Sequence, residues 1–217
     1  YKSQHRGGRG ITGMSTREED YVEHIFTTST HDNILFFTTR GVVYSLKGYR
    51  IPESGRQARG TAIVNILPLE AGEKVTAMMP IHEFAENMSL VFITKNGVVK
   101  KSDLMGYSNI RKNGLRAINL DEDDELIKVA LTDGEAEIML ITHQGMAIRF
   151  NEADVREVGR VARGVKGITL REDDYVIGAV ITEKDSEGEI LIVSENGYGK
   201  RTSLTEFRGQ KRGGIGL

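Results

Sequence analysis

Four apolar runs rich in β-branched residues punctuate the chain: ILFFTT (34–39), LVFITK (90–95), IMLITH (138–143) and ILIVSE (190–195). A glycine and a second short run follow each, giving ILFFTTRGVVYSL, LVFITKNGVVKKS, IMLITHQGMAIRF and ILIVSENGYGKRT. Runs of this length suit strands rather than helices, and a glycine between two of them predicts a β-hairpin. At 96–97 and 196–197 the turn reads Asn-Gly, which predicts positive φ at both turn positions. The turn glycines Gly41, Gly97, Gly145 and Gly197 lie 56, 48 and 52 residues apart, so the hairpins are copies of one repeat of about 50 residues.

Two further markers keep this period. Basic glycine-rich loops recur at Arg6-Gly7, Arg59-Gly60, Asn113-Gly114, Arg163-Gly164 and Arg212-Gly213. Acidic turns recur at REED (17–20), EAGEK (70–74), DEDDE (121–125) and REDD (171–174). Each acidic turn leads into an apolar stretch, VEHIFT (22–27), VTAMMPI (75–81), LIKVALT (126–132) or VIGAVIT (176–182), and basic loops lead into shorter ones, GITGM, AIVNI, AINL and GITL. Together these predict four strands per repeat and no amphipathic helix. The expected fold class is all-β, a β-propeller-like pinwheel of four-stranded blades whose small sheets bury their faces against one another. The lack of tryptophan argues against a WD-type propeller. With three prolines and no low-complexity linker, residues 1–217 are expected to form a single pinwheel domain with four complete hairpin units, cut within a blade at both ends.

Composition narrows the chemistry. An apolar content of 39% fills a core at this length. The absence of cysteine removes disulfides and thiolate metal sites and suits a cytoplasmic location. His5, His24, His31, His82 and His143 match no zinc spacing, so no metal is expected. No apolar stretch approaches the length of a bilayer span.

A net charge of −2 argues against a polyanionic partner, but the charges are sorted by position in the repeat. Stretches running from a hairpin glycine to a basic loop (1–10, 40–63, 96–117, 144–167 and 196–217) hold 23 Lys and Arg against 6 Asp and Glu, and the remaining residues hold 6 against 25. On a ring, matching repeat positions fall on matching places, so one zone is expected to be positive and another negative. A positive band continued from blade to blade suits a long, uniformly anionic ligand, and duplex DNA carries one charge per roughly 1.7 Å of axis. A cation beside glycine offers a phosphate both its side chain and unobstructed main-chain N–H groups. On that ground the candidate contacts are Arg6, Arg9, Arg59, Arg163, Lys166, Lys211 and Arg212 in the loops, with Lys100, Lys101, Lys200 and Arg201 in the hairpins. Nothing in the sequence resembles base readout, which needs a helix or ribbon presented to a groove, so sequence-independent backbone binding is expected.

Catalysis is not expected of these residues. No Ser/His/Asp or Cys/His arrangement is present, DEDDE reads as a solvated turn, and Tyr49 and Tyr107, each after a glycine, read as packing residues.

Gln4-His-Arg-Gly-Gly-Arg-Gly10 resembles the gyrase A box, Gln-(Arg/Lys)-Arg-Gly-Gly-(Lys/Arg)-Gly, which marks the C-terminal domain of the DNA gyrase A subunit. Six of the seven positions agree, with His5 in place of a basic residue. A late copy, Gln210-Lys-Arg-Gly-Gly-Ile-Gly216, departs only at Ile215. ILFFTTRGVVYSLKGYRIPE, NGLRAINL and GRVARGVKGITL extend the resemblance along essentially the whole chain. The resemblance implies a six-bladed β-pinwheel whose basic rim wraps duplex DNA in a right-handed turn and so supports ATP-dependent negative supercoiling. It implies that the box, here Gln4, Arg6, Gly7, Gly8, Arg9 and Gly10, is required for wrapping. It also places the DNA-cleaving tyrosine, ATP and magnesium on other parts of the holoenzyme, leaving no cofactor in this domain. The implied partners are duplex DNA, the remainder of the gyrase A subunit, plus the gyrase B subunit in a heterotetramer of two copies of each. The equivalent domain of topoisomerase IV is the nearest alternative, against which the box decides. A scaffold for an acidic protein would call for aromatic hot spots, and aromatics are 6% of the chain.

Overall fold

The structure, a computed structural model, describes residues 3, 5–8, 10, 13, 14, 16 and 20–217. In chain order its strands are β1 (Asn33–Thr38), β2 (Val42–Lys47), β3 (Val75–Ile81), β4 (Ser89–Thr94), β5 (Val98–Asp103), β6 (Leu115–Arg116), β7 (Leu126–Thr132), β8 (Glu137–Thr142), β9 (Ala147–Asn151), β10 (Val165–Lys166), β11 (Val176–Thr182), β12 (Glu189–Val193) and β13 (Gly199–Ser203). Helical structure among the described residues is limited to 3-10 turns of three or four residues. All four hairpins form where the apolar runs predict them, as β1–β2, β4–β5, β8–β9 and β12–β13.

A blade is not one contiguous repeat. The first has strand order β3-β1-β2-β6 and the second β10-β5-β4-β7, so a hairpin from one repeat is flanked on both sides by strands of the next. The third is a three-stranded sheet, β11-β8-β9, and Ala147 and Leu217 exchange main-chain hydrogen bonds of 2.9 and 2.8 Å that place the last loop against β9. The fourth hairpin stands as a two-stranded sheet.

Three strand expectations are corrected. The fourth strand of a blade is the two-residue β6 or β10 beside the loop glycine, whereas AINL and GITL form no strand and AIVNI holds a 3-10 turn at Ile63–Asn65. The reason lies in the main chain. The N–H groups of Ala117 and Ile118 both turn to the Gly41 carbonyl, at 2.7 and 3.2 Å, and those of Gly167 and Ile168 to the Gly97 carbonyl, so no ladder continues. VEHIFT likewise forms no strand, having no pairing partner among the described residues, and a strand exists only by pairing. Finally, the Asn-Gly turns place only glycine at positive φ. In each hairpin the glycine N–H donates to the carbonyl three residues earlier, as Gly97 does to Thr94 at 3.0 Å, closing a three-residue loop with glycine at the bulge. The same Thr or Ser side chain (Thr38, Thr94, Thr142 and Ser194) accepts the N–H just beyond the glycine, at 3.4, 3.1, 3.1 and 3.2 Å. That recurrent hydroxyl explains a repeat position whose role the apolar pattern does not show.

The core lies between blades. On β4, Leu90 and Phe92 join the first blade's Leu35, Phe37 and Val43, while the intervening Val91 and Ile93 join Ile138, Leu140, Ile148 and Phe150 of the third. Successive side chains of a strand point to opposite faces, and both faces of β4 are covered. This is why the run is continuously apolar rather than alternating. Phe37 and Phe92 meet edge-to-face with centroids 5.7 Å apart.

Candidate nucleic-acid interface

The basic loops turn in the same way in every repeat: Gly7, Gly60, Gly114, Gly164 and Gly213 all have positive φ, between 72° and 94°. At Gly164 a Cβ would lie 2.5 Å from the Val99 carbonyl, so glycine is required for the loop to lie down on β5. Within the box at 4–10, Gly8 N–H donates to the His5 carbonyl at 3.2 Å, and Arg6, Gly7, Gly8 and Gly10 are exposed. Gln4 and Arg9 lie outside the described residues.

The candidate cations divide into two groups. Arg6, Arg59, Lys166, Lys200 and Lys211 are exposed and carry no ion pair among the described residues. The others are engaged within the protein. Arg163 pairs with Asp121 at 2.8 Å and Arg201 with Glu189 at 3.0 Å, both at exposed positions. The Arg212 guanidinium donates to the Asp154 and Lys166 carbonyls, at 3.1 and 2.5 Å.

Lys100 and Lys101 are corrections to the DNA-contacting set. Lys100 is 0% exposed; its ammonium donates to the Ala117 carbonyl at 2.7 Å and to the Arg160 carbonyl, and stands 5.0 Å from the centre of the Phe92 ring. It pins two loops together from beneath and cannot reach a phosphate. Burial, with the nearby Arg160 charge, lowers its pKa to about 7. Lys101 is turned to the wholly buried Glu152, with Nζ 3.3 Å from its carbonyl and 3.7 Å from its carboxylate. Glu152 also accepts from Thr132 Oγ1 at 2.6 Å and from the Ala136 N–H at 3.0 Å. Sequence position alone counts these as rim charges, because a strand-edge lysine and a buried one look alike until the next loop is placed.

Two other expectations change. The DEDDE turn is not merely solvated: buried Asp124 accepts the N–H groups of Asn96 and Glu125, at 2.9 and 2.8 Å, and so braces the second hairpin turn. Asp174 does the same for Gln144 and Tyr175 in the third. Tyr107 is buried as expected, with its hydroxyl donating to the Ala117 carbonyl at 3.0 Å, but Tyr49 is 58% exposed.

Tyr49 lies in a cleft of about 1110 Å3 between the first and second blades. Its lining includes Lys47, Arg50, Arg111, Lys112, Arg116 and Arg160 and no carboxylate. None of these six belongs to the candidate set drawn from loop glycines and hairpins, and the repeat-wide charge count is the only sequence signal that includes them. Elsewhere, a cleft at the far ends of β7 and β11 is lined by Asp133, Glu135, Glu183 and Lys184. The two signs are thus gathered at different places on the molecule.

The family described as "DNA gyrase C-terminal domain, beta-propeller" matches residues 1–29, 32–82, 89–133, 136–183 and 188–217. The chain belongs to that family. The gyrase resemblance and the all-β propeller-like fold both hold. The DNA gyrase A subunit of Staphylococcus epidermidis is 51% identical over 218 residues, and that of Staphylococcus aureus 50%. Both comparisons cover all of this chain, which spans about a quarter of the length of these relatives. Among solved structures, the C-terminal domain of DNA topoisomerase IV superposes with a TM-score of 0.81 at 35% identity, over 87% of this chain and 58% of that one. A DNA gyrase A C-terminal domain superposes with a TM-score of 0.72 at 23% identity, over 96% and 69%, and shares the fold. No helix among the described residues is long and apolar enough to cross a membrane.

Proposed function

We propose that this domain binds duplex DNA without regard to sequence and wraps it chirally, as the non-catalytic C-terminal part of a DNA gyrase A subunit. The observation that carries this reading is the loop series: glycines of positive φ recur at Gly7, Gly60, Gly114, Gly164 and Gly213, with the exposed cations Arg6, Arg59 and Arg163 beside three of them. Bending 20–30 bp by 40–90° costs about 1–6 kcal/mol, and release of counterions from several neutralised phosphates offsets a cost of that size. A single basic patch binds DNA, whereas several patches held at fixed angles by a rigid inter-blade core bend it. In the holoenzyme the wrap presents a crossed DNA segment for ATP-driven strand passage. Cleavage, ATP and magnesium belong to other domains, and the partners are the rest of the gyrase A subunit together with the gyrase B subunit, in the cytoplasm.

The structural likeness to a topoisomerase IV C-terminal domain favours a second reading, DNA binding without a strong wrap. The box residues at 4–10 and the 51% identity to a gyrase relative weigh toward the first. Relaxing a plasmid by topoisomerase in the presence of the domain, then removing protein and resolving topoisomers, separates the two. Trapped positive writhe, reduced by Arg6→Ala together with Arg9→Ala, is the expected result; binding with an unshifted topoisomer distribution would leave the second reading.

A further inference from the structure

The cation-rich band is not uniform from blade to blade. Between the first and second blades the cleft is lined by six cations and no carboxylate. The corresponding groove between the second and third blades has a volume of about 310 Å3 and is lined by Asp103 and Glu157, with Arg160 as its one cation. The two grooves match by repeat position. Lys47 and Asp103 each stand six residues beyond their hairpin glycine, and Arg50 and Gly106 nine. The same frame thus carries opposite charge at neighbouring places.

Three cations of the first cleft are also held by main-chain carbonyls rather than by carboxylates. Arg160 donates to the Arg116 carbonyl at 2.5 Å, Arg116 to the Arg40 carbonyl at 3.1 Å, and Lys47 to the His31 carbonyl at 3.1 Å. None of the six is in an ion pair among the described residues, whereas Arg40, Arg149, Arg163 and Arg201 each pair with a carboxylate. A guanidinium has five donors, so one carbonyl bond leaves the rest for a ligand. Carbonyl anchoring reduces the side-chain freedom lost on binding, and an all-cation lining concentrates positive potential over the cleft.

We propose that the cleft between the first and second blades is the principal phosphate-binding site of this domain, where Arg111, Lys112, Arg116 and Arg160 take successive phosphodiesters of one DNA strand. The carboxylate-bearing groove one blade further on adds no cation of its own, since its Arg160 is shared with the first cleft. This deepens the DNA-binding reading and rests on it.

The test is binding of a duplex of roughly 30 bp, followed by fluorescence anisotropy across a salt series, for the whole 217-residue chain. In the variant Arg111→Ala/Lys112→Ala/Arg116→Ala, the slope of log affinity against log salt is expected to flatten by about 2–3, since each phosphate contact contributes roughly 0.9. Affinity at fixed low salt is expected to fall by about tenfold or more. A control removing three exposed lysines that precede, lie on or follow the strands after the acidic turns, Lys74→Ala/Lys128→Ala/Lys184→Ala, is expected to leave the slope nearly unchanged. The single variant Lys112→Glu, at an exposed position with no bonded partner among the described residues, guards against misfolding of the triple variant and is expected to weaken binding several-fold. Equal losses in cleft and control variants, or unchanged slopes with Lys112→Glu, overturn the cleft while leaving DNA binding in place. Failure of the unaltered chain to bind duplex DNA in a salt-dependent way removes both.

Discussion

At Lys100 a charge that reads as a rim contact turns out to be an internal pin. Its folded pKa is about 7, against about 10.4 for an exposed lysine. Between pH 7 and 10 the unfolded chain therefore binds more protons than the folded one, and this residue makes stability rise with pH across that window, by at most about 1.4 kcal/mol per pH unit. Below pH 7 both states are protonated and its contribution is flat. Urea titrations of the unaltered chain and of Lys100→Met at pH 6.5 and 9 check the sign: the variant is expected to lose most of the rise. Tyr107 and Arg160 face the same site, and Tyr107, raised chiefly by burial, stays neutral throughout. Turn glycines offer a second contrast at this scale. Gly145 (φ 81°) has open space around it, whereas a Cβ at Gly97 (φ 79°) would stand 2.8 Å from the Ile168 side chain. Alanine at 145 is expected to cost about 1 kcal/mol, the strain of the backbone region alone, and alanine at 97 about 2–3 kcal/mol, as read from thermal or denaturant unfolding.

Hairpins of the four repeats share a pattern but not an environment. Leu35, Val91 and Met139 are buried at 0%, 0% and 2%, while Leu191 at the matching position of β12 is 66% exposed. Three of the hairpins carry a strand from the next repeat along their first strand, and β12 carries none among the described residues. Amide hydrogen exchange should follow this difference, with residues 189–203 exchanging markedly faster than residues 89–103. Equal protection in the two hairpins would contradict the exposure of β12. Hairpin existence was legible because apolar runs and glycine are local signals. Which short segment supplies a blade's fourth strand was not, since β6 and β10 are two residues long and owe their pairing to loops that fold back from the following repeat.

Across the whole molecule, one core shared by two blades makes each blade's stability its neighbour's concern. Phe92 contacts Phe37 of the first blade and Tyr107 of its own repeat. Phe92→Ala is expected to cost about 3–5 kcal/mol and to lower the first and second blades together in one unfolding transition; separate transitions would show that the blades are independent. Rigid coupling is also what the wrapping reading needs, because a bend is imposed only by contacts held at fixed mutual angles. The band of positive charge was visible in the sequence as a count by repeat position. Its concentration in one cleft was not. Lys47 and Asp103, or Arg50 and Gly106, look like ordinary variation until the first and second blades bring Arg111, Lys112, Arg116 and Arg160 to the same cleft.

By itself the sequence determined the period, the hairpins, the all-β class and the separation of the two signs of charge. Those follow from spacing, apolar runs and glycine, which act within a few residues of one another. The tertiary structure alone decided which strands from successive repeats make a blade, which cations are engaged inside and which remain for a ligand. Burial and pairing depend on groups fifty or more residues away, as Lys100 shows by bonding to the Arg160 carbonyl.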